Sequence, residues 1–408
     1  MRFENRAVPI VLAAVLIDTI GFGIVLPVLP ALIVRLGRVG IDDATRIAGY
    51  MLVAFAVAQF FAGPVLGTLS DRFGRRPVLI ASMLAFGADY ALMALAPTLA
   101  WLFLGRAIAG AAGAVYGPAS SVIADVTPVE KRSAAFGYMN AAFGIGFIIG
   151  PALGGVLAGF GPRAPFIAAA VLALGNAAVM VALMPESLAR AHRRPFRWRD
   201  AHIVGAFKPL FKTGNAAPLL LATVMWMLAN MVYPTTWAFW ATIRFHWSPG
   251  AVGWSLAYVG LVTAIVQIFV IAPTIGRIGD RGALIVGLLC AITGFLAFAF
   301  VQVGWQVYVI MLPAALQGFV APALKGLLSR RIGPTQQGAL QGGLGSMSSV
   351  ASVISPFLMT QALAAGVERG FPGGAFLLAA SFAVIALGIV VWTVLQPVPP
   401  TTGAVAEA

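Results

Sequence analysis

Four charged residues sit inside long apolar runs of this chain: Asp18, Asp89, Arg106 and Lys325. A charge at the centre of a bilayer costs at least about 2.5–3.5 kcal/mol even on the lenient insertion scale, so one that is kept there needs a partner or a task. A carboxylate in such surroundings can take up a proton, persist as a neutral acid and release the proton on meeting water. An arginine cannot let go of its own proton, but it biases a neighbouring carboxylate toward ionisation. Asp18, Asp89 and Arg106 therefore read as a proton-handling group. On helices rising about 1.5 Å per residue they lie at similar depths, about 15, 18 and 20 Å from one membrane face. Lys325 falls near a run's end, where its long stem can carry the ammonium to water.

Other chemistries lack their residues. No Walker loop is present, and His192, His202 and His246 lie outside or at the rim of the apolar runs, without the spacing of a metal-ligand cluster. The glycine-rich stretches fall within apolar runs rather than after a strand, which excludes a dinucleotide fingerprint. Cys290 is the only cysteine, so the chain has no internal disulfide; it reads as a small buried hydrophobe. No cofactor and no metal are expected.

The elements that must position these charges are helices in lipid. The chain is 60% hydrophobic and 10% charged over 408 residues, far below the roughly 25% charged of soluble domains. About 20 apolar residues cross a bilayer, and twelve such spans are read at 8–34, 45–69, 77–96, 99–124, 134–159, 165–184, 216–241, 250–274, 283–302, 305–328, 337–365 and 373–395. The first is a retained helix, because Asp18 interrupts its apolar stretch and the hydrophobicity continues past Pro30. Placing both termini in the cytoplasm puts 18 of the 26 Lys and Arg on that side. That bias follows the positive-inside rule, so the net charge of +13 is topology rather than a nucleic-acid footprint.

The design is used twice. Gly67–Pro77 interrupts two apolar runs with charge, as Gly276–Gly282 does later; Thr127-Pro128 through Gly137 is matched by Gly333-Pro334 through Gly343, and Gly150-Pro151 by Ser355-Pro356, with offsets of 205 to 209. Parallel repeats in an apolar chain indicate a transporter of two halves. The expected fold is an all-α membrane protein of twelve transmembrane helices in two pseudo-symmetric six-helix halves, 1–187 and 215–396. The basic stretch 188–214, with Trp198 among arginines, is read as a cytoplasmic linker resting on anionic headgroups, and 397–408 as a disordered tail. Gly146, Gly150 and Gly154, four apart, give span 5 a face without side chains. With Pro151 and Gly155 they form a close-packing or hinge surface.

With these residues in hand, the chain resembles the major facilitator superfamily, and within it the drug–proton antiporters of twelve spans, especially the tetracycline–cation/proton exporters. Gly67 to Pro77 reproduces the superfamily loop signature, Gly-x-x-x-Asp-Arg-x-Gly-Arg-Arg. Leu104-Gly105-Arg106 through Gly110 is similar to the antiporter signature of span 4, whose arginine is implicated in proton coupling. Gly144 to Gly155 is similar to the span 5 signature of exporters, Asp18 to Pro30 to their first span, and Ser121 to Thr127 and Gln336 to Gly342 to the tetracycline branch. The resemblance implies a cytoplasmic latch of Gly67, Asp71, Arg72, Gly74, Arg75, Arg76 and Asp125. In it Asp71 faces the N-terminal end of span 11 and Arg75 pairs with Asp125. A carboxylate at that end of a helix is favoured by roughly 0.3–1 kcal/mol.

One departure bears on substrate. The tetracycline exporters carry an aspartate in span 9, and the equivalent stretch here, Gly287 to Gly294, is uncharged, with Ala291 at that position. The function expected is proton-coupled export of small amphipathic molecules by a monomer of the bacterial inner membrane. Its partners are the substrate, protons and the bilayer. The cavity between the halves would be lined by Trp226, Asn230, Tyr233, Trp237, Gln267, Gln317 and Gln341. Alternatives are an exporter or facilitator of an endogenous metabolite, sugar or lipid precursor, and a non-transporting receptor.

Overall fold

The computed structural model describes residues 6–112, 116–193, 216–331 and 337–395. Twelve helices long and apolar enough to cross a membrane run through them. They are Ala7–Val25, Ile41–Phe73, Arg75–Leu95, Leu99–Val126, Ala134–Phe160, Ala164–Leu183, Ala217–Phe245, Pro249–Ile271, Pro273–Phe300, Gly304–Arg331, Leu340–Glu368 and Gly374–Thr393, called spans 1 to 12 below. Lipid offers no hydrogen bonds, so each segment must satisfy its own backbone, which the helix does. Polar side chains inside the spans follow the same rule. Thr19, Thr223, Thr236 and Thr360 each donate back to the carbonyl four residues earlier, at 2.6 to 2.8 Å.

Span 1 is shorter than its hydrophobic run. The helix stops at Val25 and resumes at Leu29–Gly37, because Pro27 has no N–H to continue the ladder; the turn is closed by Val28 N–H donating to Val25 O at 3.2 Å. The linker at 188–214 lies outside the described residues beyond Arg193, and the tail 397–408 lies wholly outside them.

The two halves repeat in one register, and it differs from the one that the matched letters of the charged loops implied. Spans 2 and 3 are separated at Gly74, with φ +110°, and the stretch called span 9 is broken in the same way within its first turns, at Gly279, with φ +69°. Both conformations are open to glycine and strained for other residues. Gly74 and Gly279 are 205 positions apart, the same offset as Gly150-Pro151 to Ser355-Pro356. Pairing Gly67 with Gly276 is therefore four residues out. In the corrected register Arg75 corresponds to Asp280 and Asp125 to Arg330. Arg75 Nε donates to Asp125 Oδ2 at 3.2 Å, and Arg330 Nη2 to Asp280 Oδ2 at 2.9 Å. The two halves thus carry the same ion pair with the charges exchanged.

The halves meet at one end of the molecule. Arg46 at the start of span 2 pairs with Glu368 at the end of span 11, at 2.5 Å, and Tyr50 packs on Phe357 with ring centroids 5.9 Å apart. Beside them a Cβ on Gly49 would strike Thr360. Across the molecule, Gly155 of span 5 packs on Gly250 and Gly253 of span 8; a Cβ on Gly155 would lie 3.0 Å from Gly250 Cα. Toward the end that carries Gly74 and Gly279, the glycines of spans 2, 5 and 11 (Gly63, Gly67, Gly137, Gly144, Gly342, Gly345) would meet nothing within 4 Å. The spans diverge in that direction and leave that end open between the halves.

Candidate functional site

Span 3 and span 4 are antiparallel and joined by a short turn, which brings Asp89 and Arg106 to one level. Arg106 Nη2 donates to Asp89 Oδ2, and Asp89 is 0% and Arg106 5% exposed. Met93 Sδ lies 3.4 Å from the same nitrogen, and the guanidinium sits over the Phe55 ring, 5.8 Å from its centroid, a favourable placement for a cation. Gly105 makes the approach possible, since a Cβ there would stand 2.6 Å from Asp89 Oδ1. The two charges cancel each other inside the half.

Asp18 is placed differently. It is half-buried on span 1, and its Oδ1 has no hydrogen-bond partner among the described residues. Neighbouring Thr19 is committed to Val15 O. Tyr90 of span 3 lies within electrostatic reach of Asp18, and its ring would be 3.4 Å from a Cβ on Gly21. Of the two carboxylates grouped with Arg106 by their depth, the one that holds it is Asp89, one residue before Tyr90.

The glycine face of span 5 packs against span 1. A Cβ on Gly146 would lie 2.7 Å from Thr19 Cβ, and one on Gly150 2.8 Å from Gly23 Cα; Gly154 abuts Ile24, and Pro151 abuts Gly23. Asp18 therefore stands on a helix that is locked to span 5, and span 5 in turn is the helix whose Pro151 and Gly155 touch Gly253 in the other half. In the second half Ser355 Oγ donates to Leu228 O at 2.7 Å, at the positions equivalent to Gly150 and Gly23.

At the open end, Arg75 is shared. Its Nη1 reaches Asp71 at 2.6 Å, its Nε reaches Asp125 at 3.2 Å, and Nη1 also donates to Ser70 Oγ at 3.2 Å. Asp71 pairs with Arg75 one helical turn away; the head of span 11, where its other contact is expected, lies outside the described residues before Gln337. Arg72 stacks over exposed Phe73 at 5.0 Å. Arg76 Nη2 donates to Val181 O at 2.5 Å. Glu186 joins the cluster unannounced by any motif, accepting from the N–H groups of Arg75 and Arg76 at 2.8 and 3.3 Å. Its signal was faint: one acid just after span 6 in a stretch otherwise basic.

Two of the residues expected to line the substrate cavity are buried in this conformation. Trp226 and Trp237 are 7% and 3% exposed, and Trp237 Nε1 donates to Ser255 Oγ at 2.9 Å. The Trp237 ring packs edge-on against Phe298 and Phe376, 5.4 and 6.4 Å away, in the core of the second half. Large aromatic rings pack in helix interiors as readily as they line cavities, and sequence cannot separate the two. Tyr233 and Gln317 do come together, from spans 7 and 10: Gln317 Nε2 donates to Tyr233 Oη at 3.3 Å, and Gln317 Oε1 has no hydrogen-bond partner among the described residues. Asn230 is half-buried; Gln267 and Gln341 are exposed. Ala291 is fully buried.

Twelve spans, two repeats and charges held inside them define a multi-pass membrane protein of the transporter class. The family model described as Major Facilitator Superfamily matches residues 11–356, and the chain belongs to that superfamily. It is 38% identical over 384 residues to the "Tetracycline resistance protein, class C" of Escherichia coli, covering 94% of this chain and 96% of that protein. It is 28% identical over 357 residues to the "Multidrug resistance protein 2" of Bacillus subtilis (strain 168), covering 86% of each. Among solved structures, the nucleoside transporter NupG superposes with a TM-score of 0.77 at 14% identity, covering 96% of this chain and 100% of that one. The human organic anion transporter MFSD10 gives 0.71 at 22% identity, covering 96% and 100%. At such identities the structures speak for the fold alone.

Proposed function

We propose that this chain is a proton-driven exporter, exchanging protons for small amphipathic molecules of the kind named by its tetracycline- and multidrug-resistance relatives. One observation carries the coupling: each of the two carboxylates deep in the spans keeps one oxygen without a hydrogen-bond partner, but Asp89 is ion-paired with Arg106, whereas Asp18 has no cation paired with it among the described residues. A carboxylate free to gain and lose a proton as its access to water changes is what exchange requires. Arg106 and Asp89 act as the fixed pair that holds spans 3 and 4 around it.

In this reading both termini lie in the cytoplasm, and the end carrying Gly74 and Gly279 faces it. The conformation described above is then open inward, with Arg46–Glu368 and the Gly155–Gly250 contact closing the outer side. Asp18 releases its proton inward and the substrate enters between the halves. Rocking on the contacts of span 5 with span 8 opens the outer side, the substrate leaves, and Asp18 is reloaded. Arg75, Asp71 and Asp125 belong to the contacts remade at the inner end on closing. The halves are 1–187 and 215–396, joined by a linker at 188–214, and the working unit is a monomer in the inner membrane. Span 9 has no acid between Ala283 and Phe300, which favours substrates with little positive charge, met by groups such as the Tyr233–Gln317 pair.

Everted membrane vesicles test this. With an imposed pH gradient, accumulation of tetracycline or ethidium, accompanied by proton efflux from the vesicle lumen, is expected. No proton movement linked to any member of a broad drug panel would reject the reading.

A further inference from the structure

Tyr90 is a buried ionisable residue to which the exchange cycle gives no task. It is 1% exposed, and its ring stacks on Phe86 one turn away, with centroids 6.1 Å apart. From span 3 it reaches span 1, where a Cβ on Gly21 would stand 3.4 Å from the ring and 3.8 Å from Tyr90 Oη. Gly21 lies three residues beyond Asp18 and so shares its helix face, and the phenol and the carboxylate are near enough to interact electrostatically. Two carboxylate oxygens in this region lack a hydrogen-bond partner among the described residues, Asp18 Oδ1 and Asp89 Oδ1. Asp89 Oδ1 is turned to Gly105 of span 4, where a Cβ would stand 2.6 Å from it. That leaves Asp18 Oδ1 as the open acceptor beside Tyr90.

The second half supplies the comparison. Gly74 corresponds to Gly279, and the Gly23–Gly150 contact to the Leu228–Ser355 one, so each residue of the first half has its counterpart 205 positions later. Asp18 then corresponds to Thr223, Asp89 to Gly294, Arg106 to Met311 and Tyr90 to Phe295. Thr223 serves its own backbone, donating to Leu219 O at 2.7 Å. Phe295 is 0% exposed, so packing at this place needs only the ring. A buried ring is accounted for by its apolar surface, whereas a buried hydroxyl is unfavourable unless it finds a partner. The hydroxyl is present in the half that has the carboxylate and missing from the half that lacks it.

We propose that Tyr90 is a positioning residue of the proton site, its hydroxyl donating to the ionised Asp18 carboxylate and letting go when that carboxylate is protonated. This rests on the reading of Asp18 as the proton carrier. A donor to the charged form favours that form, so Tyr90 sets the pH at which Asp18 releases its proton, and a phenol does so without adding charge to the spans. Span 1 from Ala7 to Val25 and span 6 carry no other titratable group. On the other elements around Asp18, Asp89 and Arg106 compensate each other. Span 5 carries Tyr138 and, at its inner end, Glu130, Lys131 and Arg132. Span 4 carries Asp125, paired with Arg75, and Tyr116, whose side chain lies outside the described ones.

Infrared titration of the purified full-length protein can follow the carbonyl stretch of protonated carboxyl groups, and the component lost in Asp18→Asn belongs to Asp18. Tyr90→Phe should fold, as Phe295 does at the equivalent place, and should move the midpoint of that component to higher pH by about one unit, the size of one hydrogen bond to a charged group. A ring-fluorinated tyrosine at position 90, a stronger donor of nearly the same shape, should move it to lower pH. A merely structural role would not give shifts of opposite sign. Should Tyr90→Phe not fold, the fluorinated variant alone decides. The proposal is overturned if no component is lost in Asp18→Asn, if the midpoint is the same in wild type and variants, or if both variants shift it in one direction. Proton flux driven by tetracycline or ethidium in proteoliposomes separates the two readings. Opposite infrared shifts without any substrate-linked flux would reject the exporter reading and still support the contact between Tyr90 and Asp18.

Discussion

Arg106 donates to Asp89 across the seam between spans 3 and 4, and neither residue meets solvent. Each is in place because the other is. Removing one partner of a buried pair typically costs about 3–5 kcal/mol, because the other charge is left uncompensated.

Arg106→Gln and Asp89→Asn should therefore each lower thermal stability in detergent strongly. The double variant Asp89→Asn/Arg106→Gln should recover much of the loss, since two amides can hydrogen-bond without charge. Additive losses in the double variant would mean that the pair does not act as a unit.

At the inner end, Asp71→Asn should leave the protein folded and inserted. Its carboxylate is 41% exposed and paired one turn away with Arg75, so the stability change is expected to be about 0.5 kcal/mol or less. Transport in reconstituted vesicles should nonetheless fall severely, because the proposed cycle uses this charge when the halves close at this end. Arg75→Ala should act similarly, with Asp125→Ala adding little on top, as partners in one network are non-additive. Normal turnover in Asp71→Asn would exclude it from the closing contacts.

The contact between halves makes a paired prediction. Gly253→Ala would drive a Cβ into Pro151 O and to 3.1 Å from Gly155 Cα, so it should shift the population away from the outer-closed state. Gly63→Ala meets nothing within 4 Å and should be neutral or stabilising by up to about 1 kcal/mol, as alanine favours helix. Spin-label distances between spans 5 and 8 would report the shift; equal distances in the two variants would show that the glycine contact does not set the state.

In the second half, Tyr233→Phe and Gln317→Ala should alter which drugs are carried while leaving stability nearly unchanged. Trp237→Ala should do the reverse, costing about 3–5 kcal/mol for a large buried ring. Resistance profiles over a drug panel, set against Tm, separate the two behaviours. A changed profile in a stable Trp237→Ala protein would return that ring to the cavity.

The spans were legible because lipid imposes one requirement on all of them, a long apolar helix. What escaped the sequence depends on three-dimensional neighbours. Pro27 splits the first apolar run, and hydropathy does not register the split. The letters Gly-x-x-x-Asp-Arg matched Gly67 to Gly276, whereas the backbone places its positive-φ glycine at Gly74 and Gly279, four residues off that match. The types of Asp18, Asp89 and Arg106 marked them as unusual in lipid; only geometry pairs Arg106 with Asp89 and leaves Asp18 apart. Trp237 shows the opposite failure, since an aromatic residue with a polar handle reads equally as cavity wall and as core, and Ser255 decides for the core.

The central claim is that Asp18 carries the exchanged proton. Asp18→Asn mimics the protonated form permanently, and its neutral side chain on a half-buried site should not disturb the fold. Proton flux and substrate counterflow, measured in the same proteoliposomes, are the deciding pair. The account predicts that Asp18→Asn retains substrate counterflow while losing substrate-linked proton movement and pH-driven accumulation. If Asp18→Asn still moves protons with substrate at the wild-type ratio, Asp18 is not the carrier, and the division of roles between Asp18 and the Asp89–Arg106 pair is wrong.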